Sequence, residues 1–260
     1  MKEFIKNYWK TIAFFAVVGL VGGFFTGLYL LDSYPAQLRQ QLLNELAAQG
    51  LDFLSADLMM GVISAYQAVG YGLVLGALGI LLSKNIGLWK GEKTLTKKPL
   101  VAAVAVSVVG GLALILLDIF FFGKYSQPIM DSYAAKPTLV FLLASVLYGG
   151  VIEEVMLRLF MMSLVAFLLH KVCEKKNEKP SERILIAANV VSAVLFATGH
   201  LPATSALMGL TPMIIFRCFL LNGGIGLMFG WLYRNYGLRY AMIAHGGCHV
   251  VSKLIWILFI

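Results

Sequence analysis

Apolar residues in this chain gather in seven blocks, at about 10–31, 58–83, 99–123, 137–170, 183–204, 212–234 and 239–260, with short polar stretches between them. Each block supplies the ~20 residues that a helix needs to cross a bilayer. The pattern predicts an all-α fold, a polytopic transmembrane helical bundle of about seven spans. The fourth block is too long for one straight crossing at 1.5 Å per residue. Gly149-Gly150 near its middle predicts a bend, a tilt or a break, and a break makes the count eight. Residues 35–50 alternate Leu with polar groups at helical spacing, begin at Pro35 and stop at Gly50. That pattern predicts a short amphipathic helix on the membrane surface. The first block follows Lys2, Lys6 and Lys10, but its apolar run is longer than a signal-peptide core and reads as a membrane anchor.

Composition supports this division. Only 13% of the residues are charged, against roughly 25% in soluble domains. The 26 glycines suit membrane helices whose backbones approach closely. The net charge of +8 does not imply nucleic acid, because Lys and Arg cluster in short loops instead of along one polar face. Three cysteines, Cys173, Cys218 and Cys248, are too few and too scattered for a disulfide framework. The expected organisation is 1–98 as N-terminal membrane helices carrying the surface helix, 99–136 as a third span and outer loop, and 137–260 as the core that carries chemistry.

Loop charge predicts the orientation. Basic residues mark the N-terminus, the loop with Lys84, Lys90, Lys93, Lys97 and Lys98, the loop with Lys171, Lys175, Lys176, Lys179 and Arg183, and the turn with Arg234 and Arg239. The intervening loops carry Asp32, Asp52 and Asp57, then Lys124, Asp131 and Lys136, then no charge at 201–211. By the positive-inside rule the N-terminus of this cell-membrane protein is cytoplasmic and the C-terminus outside.

Ionisable residues inside the spans are the informative ones, since each costs on the order of 2.5–3.5 kcal/mol to insert. The fourth block holds Gly149-Gly150-Val-Ile-Glu153-Glu154-Val-Met-Leu-Arg158. Glu154 and Arg158 are four apart, acid before base, and can pair on one helical face. That pairing makes them scaffold and leaves Glu153 as a carboxylate without a local partner. The fifth block ends in Phe196-Ala-Thr-Gly-His200, and the seventh contains His245-Gly-Gly-Cys-His249. Three His and one unpaired Glu can hold and deprotonate a water, and a carboxylate in apolar surroundings has a raised pKa suited to that task. Asp118 reads as a helix-end or packing residue, Arg217 as carbonyl-bonded or snorkelling, and Gly223, Gly226 and Gly230 as helix packing. Cys248 diverges from His249 on the helix, which argues against a Cys–His nucleophile.

These three elements, in this order on late spans, resemble the CPBP family of intramembrane proteases, the CAAX proteases and bacteriocin-processing enzymes also called the Abi family. The family pattern is Glu-Glu-x-x-x-Arg, Phe-x-x-x-His and His-x-x-x-Asn or a similar polar residue, and this chain supplies Glu153-Glu154-x-x-x-Arg158, Phe196-x-x-x-His200 and His245-x-x-x-His249, over about 137–260. The resemblance implies an intramembrane endopeptidase in which Glu153 and His200 activate water while His245 and His249 bind the oxyanion. Glu154, Arg158 and Phe196 are structural support. His249 departs from the usual Asn, and an imidazole donates only in a suitable tautomer or when protonated. The third His also fits a divalent ion such as zinc, held by Glu153, His200, His245 and His249. Both mechanisms stay open at this point, with the metal-free water slightly favoured.

The expected partners are membrane lipid and a peptide, lipidated or transmembrane protein substrate. Within the family's range, prenylated tails, bacteriocin leaders and signalling peptides all qualify, and peptide processing or bacteriocin self-immunity is preferred. A non-catalytic immunity or scaffold protein needs none of Glu153, His200 and His245. A transporter needs acidic groups along several spans, whereas the polar groups here concentrate in the last four blocks. The orientation is testable. In a cysteine-free background, Lys176→Cys should react with an impermeant thiol reagent only from the cytoplasmic side, and Asp131→Cys only from outside; the reverse pattern contradicts the assignment.

Overall fold

The computed structural model of the protein describes residues 2–51, 55–91 and 94–260; Asp52 and Lys93, counted above among the loop charges, lie outside the described residues. In chain order the helices are α1 Lys2–Ser33, α2 Ala36–Ala48, α3 Ala56–Asn85, α4 Lys97–Lys124, α5 Gln127–Ser132, α6 Leu139–Cys173, α7 Glu182–Met208, α8 Pro212–Tyr236 and α9 Leu238–Phe259. Seven of them are long and apolar enough to cross a membrane, and no strand occurs among the described residues. α2 follows Pro35 and ends before Gly50, whose φ of 69° reverses the chain as a residue with a Cβ rarely can. None of the α2 residues is buried.

The fourth block does not break, so the spans number seven. α6 runs through Gly149-Gly150, and its excess length is taken up by wide i→i+5 turns over Ala144–Glu153 and Val155–Met162. A wider turn holds more residues and so shortens the helix; such turns are otherwise rare and concentrate at functional sites. α6 is also the centre of the bundle. Its first half packs on α1 and α9, its second half on the end of α3 and on α7 and α8. The glycine pair serves this packing, since a Cβ on Gly150 would lie 2.9 Å from the Gly246 Cα of α9. α1 is wedged between α3 and α6 in the same manner, and a Cβ on Gly27 would lie 2.2 Å from the Met60 carbonyl oxygen.

Valines and leucines such as Val101, Val104 and Val108 of α4 are exposed, as a lipid-facing surface requires. Arg217 departs from the expectation of a carbonyl-bonded or snorkelling side chain. It forms an ion pair with the buried Asp118, with Nε donating to Oδ1 at 2.6 Å, and the Tyr133 hydroxyl donates to Asp118 Oδ2 at 2.9 Å. The physical reason is mutual need: a carboxylate and a guanidinium at membrane depth are each costly alone, and α4 and α8 bring them together. Burial, and then the adjacent Asp118 carboxylate, push the Tyr133 phenol well above its ordinary range, which keeps it a donor.

Candidate active site

The two neighbouring glutamates of α6 meet different surroundings. Glu154 is fully buried. Its Oε1 lies 3.0 Å from Arg158 Nη1 and 2.9 Å from His245 Nδ1. Arg158, buried too, donates from Nη2 to the Gly226 carbonyl at 2.8 Å. Its guanidinium lies over the rings of Phe196 and Phe229, 4.8 and 5.4 Å from their centroids. Position 226 tolerates nothing larger than glycine without displacing this group, since a Cβ there would lie 2.8 Å from Arg158 Nη2. The result is a chain of contacts from α8 through α6 to α9 that neutralises both charges in an apolar interior.

A carboxylate held by a guanidinium accepts hydrogen bonds and has none to donate. His245 Nδ1 therefore carries the proton in its bond to Glu154, and the ring turns Nε2 the other way. There it lies 3.8 Å from Glu153 Oε2. That separation is too long for a direct hydrogen bond and suits a bridging water. The His245 ring is held flat against Phe229, 4.5 Å between centroids at 20°.

Glu153, His200, His245 and His249 line one cavity of about 290 Å³, together with Tyr148 and Asn222. The predicted residues are therefore brought together from three helices. His200 Nδ1 donates to the Phe196 carbonyl one turn earlier at 2.8 Å, which turns Nε2 away from its own helix. Phe196 packs edge-on against His200 and His245, 4.7 and 5.7 Å between centroids, so its supporting position is geometric as well as cationic. A Cβ on Gly149 would lie 3.0 Å from His249 Nε2 and 3.7 Å from His245 Nε2. This glycine thus leaves room for two imidazoles against the α6 backbone. Cys248 is buried and its Sγ donates to the Val106 carbonyl at 3.5 Å, consistent with packing.

Four contributors carry no signal that the sequence pattern separates from packing. Phe229, Tyr148 and Asn222 have no local mark, because an aromatic or an amide in an apolar span is common. Gly226 lies in the glycine series expected to pack helices; it packs, but against Arg158 rather than only against a helix. For a metal, the fit is poor. Among the described residues no three His, Cys, Asp or Glu side chains converge closely enough to hold an ion.

The arrangement separates structural from chemical loss. Glu154→Gln strands the Arg158 charge, a type of change that costs ~3–5 kcal/mol, and should lower the thermal midpoint of the purified protein. Glu154→Gln/Arg158→Met, which removes both charges, should regain part of that loss. A single mutant as stable as wild type contradicts the structural assignment of the pair.

Residues 135–251 match the family model described as Type II CAAX prenyl endopeptidase Rce1-like. No curated protein and no solved structure matches the chain. The matched segment spans the end of the α5–α6 connection and continues into α9, so it contains every residue of the buried Arg158–Glu154–His245 chain and of its facing groups. Residues 135–251, somewhat less than half of this multi-pass membrane chain, are accordingly similar to the Rce1-like domain, and the match supports the resemblance of its motifs to the CPBP family of intramembrane proteases.

Proposed function

We propose that the protein is an intramembrane endopeptidase that hydrolyses a peptide bond of a membrane-associated peptide or lipidated protein, with water activated in the cavity between α6, α7 and α9. The observation that carries the reading is the division between the two glutamates. Glu154 is committed to Arg158 and His245, whereas Glu153 opens on the cavity with its Oε2 3.8 Å from His245 Nε2.

In this reading a water sits between Glu153 and the imidazoles. Glu153 takes one of its protons as the oxygen attacks the scissile carbonyl, and returns that proton to the departing amine as the C–N bond breaks. The bond from His245 Nδ1 to Glu154 leaves Nε2 of the neutral ring as an acceptor. That favours a water-orienting part for His245 over the oxyanion part implied by the family pattern. His200, with Nδ1 spent on Phe196, has the same acceptor character at Nε2. The oxyanion then falls to His249 and to Asn222. Among the described residues the Asn222 amide nitrogen donates to the Cys218 sulfur alone, at 3.4 Å, and it donates whatever the pH. Such preorganised donors are worth roughly 10²–10³ in rate each.

The cavity also receives Thr26 and Tyr29 from the end of α1 and Phe141 from the start of α6. Those are the ends opposite the basic loops. With the N-terminus in the cytoplasm of the host cell, hydrolysis takes place in the outer half of the membrane. Peptide processing fits this placement.

Glu153→Gln keeps the shape of the side chain and removes its basicity. Peptide processing by this variant in the native host, followed by mass spectrometry against wild type, should fall by about 100-fold or more, with thermal stability near wild type. A fully active Glu153→Gln protein sinks this mechanism, and unchanged peptide profiles in a strain lacking the protein favour the scaffold reading instead.

A further inference from the structure

A separate cavity of about 920 Å³ shares no residue with the candidate active site. It lies between α1, the middle of α6, the α3–α4 connection and α9. α6 and α9 turn one face to each cavity. On α6, Val146, Leu147 and Val151 line this one, and Tyr148, Gly149 and Glu153 the other; on α9 the division is Ile243 and Val250 against His245 and His249. Along α1 this cavity stops at Phe15 and the active-site cavity begins at Thr26, roughly 16 Å further at 1.5 Å per residue.

The cavity is polar at one end and apolar along its length. Lys10, Lys90 and Arg239 line it where α1 and α9 begin, and no acidic side chain among the described residues does so. The rim is a built one. The Tyr240 hydroxyl accepts the Thr96 backbone N–H at 2.8 Å, which ties the α3–α4 connection to α9. Gly237, at a φ of 108°, brings the α8–α9 turn against the same connection; a Cβ there would lie 3.1 Å from Lys90 Cβ. Trp89, Tyr236 and Tyr240 stand just inside the cations, the level at which aromatic rings sit in a membrane. From Leu238 to Val250 the cavity follows α9 for about 18 Å, a little more than half of the ~30 Å hydrocarbon core. Phe14 and Val250, on its walls, are 52% and 37% exposed, so the slot is open sideways to the bilayer.

An occupant that meets both ends has a negative head and an apolar tail about one leaflet long. A zwitterionic lipid fits less well, because its ammonium would lie among three cations with no carboxylate to receive it. We propose that this slot binds one anionic phospholipid from the leaflet bordering the basic loops, with its phosphate among Lys10, Lys90 and Arg239 and one acyl chain between α1 and α9. The inference is independent of the peptidase reading, since none of the hydrolytic groups lines the slot.

The test is native mass spectrometry of the delipidated full chain, titrated with palmitoyl-oleoyl phosphatidylglycerol and, separately, with the matching phosphatidylcholine. Wild type should take up one phosphatidylglycerol per chain, saturably, with an affinity at least about tenfold above that for phosphatidylcholine. Lys10→Gln/Lys90→Gln alters two exposed side chains and should bring the two lipids to within about threefold of each other. Lys10→Arg/Lys90→Arg should keep most of the preference. Ile243→Trp, which fills the slot, should remove the saturable uptake of either lipid; if that variant fails to fold, the lysine comparison still decides. Equal uptake of both lipids by wild type overturns the proposal, and so does uptake that does not saturate at one per chain. A preference that survives in Lys10→Gln/Lys90→Gln overturns it as well. Displacement of phosphatidylglycerol by an equal concentration of inorganic phosphate makes this a site for a soluble anion and overturns the lipid assignment.

Discussion

The contact on which the rest of this structure depends is the one between Glu154 and its two partners. A bilayer interior offers no water to solvate a carboxylate or a guanidinium, so both must be answered by protein groups. Arg158 answers Glu154 along α6, the Gly226 carbonyl answers Arg158 from α8, and His245 answers Glu154 from α9. The last two of these bonds tie α8 and α9 to α6. Removing the carboxylate leaves a buried cation, releases the His245 ring and uncouples α9 from the centre of the bundle. Replacing the whole set with apolar residues could give an equally stable bundle, as buried ion pairs often allow. The arrangement is better understood as one that positions a ring than as one that adds stability.

That positioning has a chemical consequence. Glu153 sits next to Glu154 in sequence, and the two share only the imidazole that stands between them. One nitrogen of His245 is committed to structure and the other is presented to the cavity. The wide turns of α6 run through this region, and Gly149 and Gly150 let His249 and the α9 backbone come up to it. The widened helix, the small residues and the buried ion pair all serve the same wall of the cavity.

Much of this is legible in the sequence, for identifiable reasons. The spans are, because a membrane crossing is a matter of length and polarity. The Glu154–Arg158 pair is, because four residues is a local spacing. The partners of His245 and Asp118 are not: Glu154 lies 91 residues from His245 and Arg217 lies 99 from Asp118, distances at which spacing carries no directional information. Arg217 for that reason reads in the sequence as a solitary cation, which the structure corrects. The eighth span considered for the long fourth block does not materialise, because i→i+5 turns are invisible to a periodicity of 3.6.

The claim at the centre of the account is that Glu154 holds the proton of His245 on Nδ1 and frees Nε2 for the cavity. The chain has only four histidines, so nitrogen NMR of protein labelled with ¹⁵N at histidine, in nanodiscs, resolves their ring nitrogens, and His245→Gln assigns the signal. The account predicts a His245 ring protonated at Nδ1 in wild type and in Glu153→Gln, with that preference lost in Glu154→Gln. A His245 ring protonated only at Nε2 in wild type, or one whose tautomer is indifferent to Glu154→Gln, contradicts it.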